Sequence, residues 1–166
     1  MIRQPEPKLS KVNAVDVIFC CLLIAALVSY GQHKKSKSKD SIEVRGRMLA
    51  FVNAFNNLNW EDFRSFFDEH ATAFLESDTL TLLEGKSSIE QMFKPIFEEV
   101  PKNVKGPPYL HLQPLNMNFY LQRNMAIVSF HLKRGNIIAR RTFVWERRKK
   151  TWLIIHLHGS AVKPDS

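Results

Sequence analysis

Apolar residues recur at three- and four-residue spacing between Ile42 and Leu58, and this period predicts an amphipathic helix. Asn59 and the acidic residues that follow it mark the start of a second, short helix. The same kind of spacing predicts a third helix from Ser87 to about Glu99. Two short strands, over residues 70–75 and 80–83, are expected between the second and third helices.

The pattern changes after Tyr109, where helical spacing gives way to β-rich segments joined by short polar connections. Four strands are predicted: Leu110–Leu121, Met125–Lys133, Ile137–Arg147 and Thr151–His158. Helices followed by an antiparallel meander are typical of an α+β domain in which the helices cover one face of a sheet. We therefore predict three helices packed on a curved antiparallel sheet, preceded by one N-terminal hydrophobic helix.

That N-terminal helix is predicted from an uncharged segment of fourteen residues, Val17 to Tyr30. Extended back to Val12, the segment forms a helix about 28 Å long, which is marginally enough to span a bilayer. The uncharged run alone is closer in length to the apolar part of a signal peptide, so cleavage after Gly31 is the alternative to an uncleaved anchor. The apolar side chains expected in the membrane are Val17, Ile18, Phe19, Leu22, Leu23, Ile24, Leu27 and Val28.

Four parts of the chain are expected: a membrane-targeting segment over residues 1–31, a basic linker over 32–40, one domain over 41–162 and a tail over 163–166. We favour a single membrane anchor, and the alternative is an exported or periplasmic protein. The basic residues that flank the apolar segment do not decide which side of the membrane holds the domain.

Composition and charge exclude some classes of protein. The chain has 166 residues, of which 45% are hydrophobic, and this excludes an intrinsically disordered protein. Its net charge of +8 is unevenly placed: residues 40–100 carry −7, whereas residues 110–166 carry +8. Because an acidic half and a basic half can compensate each other, the charge does not indicate a nucleic-acid partner.

Several motifs in a fixed order resemble the nuclear transport factor 2-like superfamily, especially its SnoaL-like group and the association (hub) domain of calcium/calmodulin-dependent kinase II. The motifs are Ala54–Phe63 (AFNNLNWEDF), Ala71–Phe74 (ATAF), Gly106–Pro114 (GPPYLHLQP), Arg141–Arg148 (RTFVWERR) and Trp152–Ser160 (WLIIHLHGS). The resemblance implies a cone-like fold with a pocket inside the cone and a homodimer built sheet against sheet. It leaves the activity open, because the superfamily includes isomerases, cyclases, dehydratases and non-catalytic modules.

Three histidines are candidate catalytic residues. Strand alternation places His156 and His158 on the same face as Trp152 and Ile154, with His131 on a neighbouring part of the sheet. Imidazole groups titrate near neutral pH, so these side chains suit acid/base chemistry. A His-x-His metal site and a purely structural role are the alternatives. We expect no metal and no cofactor.

Six aromatic residues are expected to line the pocket: Trp60, Phe74, Tyr109, Tyr120, Phe143 and Trp145. The hub domain holds anionic ligands with arginines, and one of those positions is Phe143 here. Arg141 shares a strand face with Phe143 and Trp145 and is a possible replacement, together with His131 and Arg140.

Three functions are consistent with these features. The first is a membrane-anchored or exported dimer that binds a small, mostly apolar ligand without established catalysis. The second is a small isomerase, cyclase or hydro-lyase that uses histidine as its acid/base. The third is a non-catalytic assembly module.

Overall fold

The structure, a computed structural model, describes residues 39–76 and 81–162. The predicted membrane segment, most of the linker and the tail therefore lie outside the described residues. Among the helices that are described, none is both long enough and apolar enough to cross a membrane.

Three helices and six strands make up the described part of the chain. Helix α1 includes residues 39–56, α2 is Trp60–Ser65 and α3 is Lys86–Asn103. The strands are β1 Phe67–Phe74, β2 Leu83–Glu84, β3 Leu115–Gln122, β4 Met125–Arg134, β5 Ile137–Arg148 and β6 Thr151–Val162. The predicted α+β class is confirmed, and Pro114 directly precedes β3, which begins later than the predicted strand.

The six strands form one curved sheet that does not close, in the order β2-β1-β6-β5-β4-β3. The meander from β3 to β6 is antiparallel throughout, as predicted. The prediction of a wholly antiparallel sheet is wrong, because β1 pairs with β6 in parallel. No hairpin turn joins these two strands, so local turn signals in the sequence did not reveal their relative direction.

The helices cover one face of the sheet, called here the inner face, where aromatic side chains form the core. Phe63 of α2 is fully buried, and its ring lies 5.3 Å from Phe51 of α1 and 4.8 Å from Phe97 of α3. Phe143 of β5 lies 5.1 Å from Phe51 and joins this cluster to the sheet. Packing of this kind buries large apolar areas and accounts for most of the stability of a small domain.

A register shift in β6 changes which residues reach the inner face. Trp145 pairs with Ile154, but Val144 pairs with His156, so Ile155 is an extra residue in the ladder. Such a bulge reverses the alternation that follows it. Trp152 and Ile154 are buried on the inner face, whereas His156 and His158 lie on the opposite, outer face. The predicted placement of all four residues on one face is therefore wrong.

Candidate functional site

A cavity of about 400 Å³ lies between the helices and the inner face of the sheet. Its lining is almost entirely apolar, and the two charged residues that line it are Glu76 and Arg141. The apolar side chains come from α1 and α3, from the segments that flank β1 and β3, and from β4, β5 and β6. They are Phe51, Phe55, Leu75, Met92, Phe93, Ile96, Leu110, Leu112, Phe130, Leu132, Phe143 and Leu157.

Asn56, at the end of α1, holds one wall of the cavity in place. Its side-chain amide donates to the carbonyl of Leu112 at 3.1 Å, and its side-chain oxygen accepts from the Leu112 backbone N–H at 2.9 Å. Its backbone carbonyl also accepts from the N–H groups of Tyr109 and Leu110. These bonds fix the irregular segment before β3, so Leu110 and Leu112 are positioned against the cavity.

Arg141 and Glu76 form an ion pair within the lining. Arg141 Nη2 lies 2.9 Å from Glu76 Oε2, and the two side chains keep only 20% and 24% of their exposure. Arg141 packs over Gly159, where an added Cβ would lie 3.2 Å from Nη1. The absence of a side chain at Gly159 therefore leaves room for the guanidinium. Strand alternation pointed to Arg141, but no local pattern in the sequence pointed to Glu76, which is 65 residues away.

The three candidate histidines lie on the outer face, and none of them lines this cavity. His156 Nδ1 is 2.8 Å from the Thr72 hydroxyl oxygen on β1. The ring of Phe74 lies about 6 Å from both His156 and His158. His131 pairs with Arg140 across β4 and β5. The structure thus brings His156 and His158 together beside β1, and it places His131 two strands away.

Partial burial lowers the pKa of His156 below its ordinary value, and the neighbouring His158 lowers it further. The neutral imidazole is thereby favoured near neutral pH. Across the described residues, no group of three or more His, Cys, Asp or Glu side chains is arranged to hold a metal ion.

The six expected pocket aromatics are distributed over the whole domain. Phe143 lines the cavity, and the other five are not among its lining residues. Trp145 is fully buried in the core, and Trp60 packs against Phe97 at 5.1 Å. Tyr120 and Phe74 are exposed, and Tyr109 lies in the segment held by Asn56.

The outer face of the sheet carries exposed apolar side chains from three neighbouring strands. Tyr120 of β3 is 59% exposed, and its cross-strand partner Ile127 of β4 is 41% exposed. Met125 extends the same surface, because it lies two residues before Ile127 on β4. The exposed Ile138 of β5 lies apart from them, opposite Lys133 near the other end of β4. We call Tyr120, Met125 and Ile127 the outer apolar patch; a patch of this kind on a sheet typically marks an interaction surface.

A family profile matches almost the whole described domain, over residues 40–163: that of the calcium/calmodulin-dependent protein kinase II association domain. The chain belongs to this family. The resemblance inferred from the motifs is thereby confirmed. A comparison with curated proteins finds no match.

Solved structures with the same fold include other members of the superfamily. The calcium/calmodulin-dependent kinase II hub homology domain of Chlamydomonas reinhardtii is 24% identical, with a TM-score of 0.60 over 75% of this chain and 99% of that one. A nuclear transport factor 2-like protein of unknown function from Pseudomonas putida is 16% identical, with a TM-score of 0.61 over 76% and 87%. A candidate dehydratase from Streptomyces avermitilis is 13% identical, with a TM-score of 0.63 over 77% and 99%. At these identities the likeness establishes the fold alone.

Proposed function

We propose that this association domain joins copies of its own chain through the outer face of the sheet, and that its cavity holds a small, mostly apolar molecule. The observation that carries the self-association is the outer apolar patch, which lies opposite the face that the helices cover. Membership of an association-domain family supports the same conclusion.

The outer face is suited to a second copy of the chain because it is both apolar and extended. Tyr120, Met125 and Ile127 lie on the adjacent antiparallel strands β3 and β4, where Tyr120 pairs with Ile127, so their side chains form a continuous surface. A twofold interface uses the same patch on both partners, and an apolar patch is complementary to itself. The expected assembly is a homodimer joined sheet to sheet.

The ligand-binding part of the proposal is supported by the size and lining of the cavity. Small-molecule sites are typically cavities of 300–1,000 Å³ with apolar walls and a few polar groups. The cavity here has a volume of about 400 Å³ and a single ion pair among apolar side chains. None of the candidate acid/base histidines lines it, so the geometry favours binding over histidine-based catalysis.

We further propose that the apolar N-terminal segment keeps this module at a membrane, where self-association would bring anchored chains together. The proposal rests on the uncharged sequence from Val17 to Tyr30.

The self-association is tested by measuring the mass of the protein in solution by analytical ultracentrifugation at micromolar concentration. We expect a dimer or larger assembly for the wild-type chain and a monomer for Ile127→Asp, because a carboxylate in an apolar interface is not solvated. Val104→Asp is the matched control, since Val104 is also 41% exposed but follows α3, away from the sheet. A monomeric wild-type protein, or equal dissociation by both variants, would contradict the proposal.

A further inference from the structure

The guanidinium of Arg141 is already engaged by the protein itself. Its Nη2 donates to Glu76 Oε2 at 2.9 Å. Its Nη1 donates to the backbone carbonyls of Arg140 at 2.8 Å and Ser160 at 3.3 Å. Both terminal nitrogens of this cavity arginine therefore have acceptors before any ligand enters.

The position of Glu76 also determines the charge that a ligand meets. Glu76 and Arg141 both line the cavity, and each keeps less than a quarter of its side-chain exposure. The positive charge of the arginine is offset locally by a carboxylate. A second carboxylate, brought in by a ligand, would lie close to Glu76 in a partly desolvated site, where like charges repel more strongly than in water.

Gly159 keeps the arginine in this arrangement. Its lack of a side chain lets the guanidinium lie close to β6, from which the Ser160 carbonyl accepts its hydrogen bond. The guanidinium is thus held by both the sheet and Glu76 and is not free to follow a ligand.

We infer that Glu76 is a specificity-determining residue: it supplies the carboxylate that Arg141 would otherwise take from a ligand, so the cavity selects an uncharged apolar molecule over the corresponding acid. This inference rests on the proposed ligand-binding function of the cavity. It assigns the ligand class to neutral molecules with an apolar chain, such as alcohols, and it excludes fatty-acid-like anions.

The test compares two probes of equal chain length, 1-octanol and octanoate, by isothermal titration calorimetry at neutral pH with the full-length protein. The variants are wild type and Glu76→Gln, which keeps the shape of the side chain and removes its charge. Glu69→Gln is the control, because Glu69, seven residues earlier in β1, also forms an ion pair, with Lys86 at 3.2 Å, but does not line the cavity.

Wild type and Glu69→Gln are expected to bind 1-octanol at least tenfold more tightly than octanoate. In Glu76→Gln we expect the affinity for octanoate to rise at least tenfold, because the guanidinium charge is then available to the anion. The affinity for 1-octanol should change less than twofold.

If 1-octanol binds but the affinity for octanoate does not rise in Glu76→Gln, the specificity role is overturned and the ligand-binding function stands. If wild type binds octanoate as tightly as 1-octanol, the specificity role also fails, whether or not the variant folds. If neither probe binds wild type or Glu76→Gln, the ligand-binding function itself is contradicted.

Discussion

The two faces of the sheet are built from alternate residues of the same strands, yet they differ in what surrounds them. On the inner face, Trp145 and Val128 are fully buried beneath the helices. On the outer face, their sequence neighbours Val144 and Ile127 pair with each other; Val144 is half-buried and also pairs with His156, and Ile127 is exposed. A change on the inner face should therefore act on folding, and a change on the outer face should act mainly on assembly.

The largest difference between the faces is expected for two adjacent residues of β5, Trp145 and Val144. Trp145→Ala leaves a large cavity in the core and should lower the free energy of unfolding by about 3–5 kcal/mol. Val144→Ala removes two methyl groups from the half-buried outer face and should cost about 1 kcal/mol. Urea denaturation at one fixed protein concentration measures both losses, since self-association would otherwise shift the apparent stability. Equal losses would mean that the two faces do not differ as described.

A second, smaller difference is expected for the neighbouring arginines Arg147 and Arg148. Arg147 bonds to the buried Asp40 and to Glu43, both on α1, and its guanidinium lies 4.9 Å from the ring centroid of Trp152. Arg148 is half exposed and bonds to Glu146 at 2.9 Å.

Asp40→Asn should therefore lower the free energy of unfolding by about 1–3 kcal/mol. The substitution weakens the contact between α1 and the sheet, and it leaves the positive charge of Arg147 less well paired. Glu146→Gln should lower it by less than about 1 kcal/mol, since its partner Arg148 is half exposed to solvent and also pairs with Asp68 at 3.5 Å. Urea denaturation of both variants measures the two losses in the free energy of unfolding. A larger loss for Glu146→Gln than for Asp40→Asn would contradict the expected difference between the two faces.

The inner face was largely predictable from the sequence, because helical spacing in α1 and α3 and alternation in β5 are local patterns. The alternation placed Arg141 with Phe143 and Trp145, and both Arg141 and Phe143 line the cavity. The bulge at Ile155 was not predictable, since it depends on how β6 pairs with β5, and it reversed the expected side for two histidines. The Glu76 and Asn56 contacts were missed for a related reason: each joins residues more than 50 positions apart without a periodic signal.

The smallest effect is expected on the outer face, at His156. Burial, and then the nearby His158, lower the pKa of His156 in the folded protein. The folded state therefore binds a proton at His156 less readily than the unfolded state does. The free energy of unfolding is unaffected by proton binding at this residue above its ordinary pKa of about 6.5, where the ring is neutral in both states, and it decreases as the pH falls below that value. The neutral ring also keeps its 2.8 Å hydrogen bond with the Thr72 hydroxyl.

Unfolding free energies measured from about pH 8 to about pH 5 should thus fall less steeply for His156→Gln than for wild type. His111→Gln, an exposed histidine in the segment before β3, is the control and should follow the wild-type curve. An unchanged pH dependence in His156→Gln would mean that this ring is as freely solvated as an exposed one.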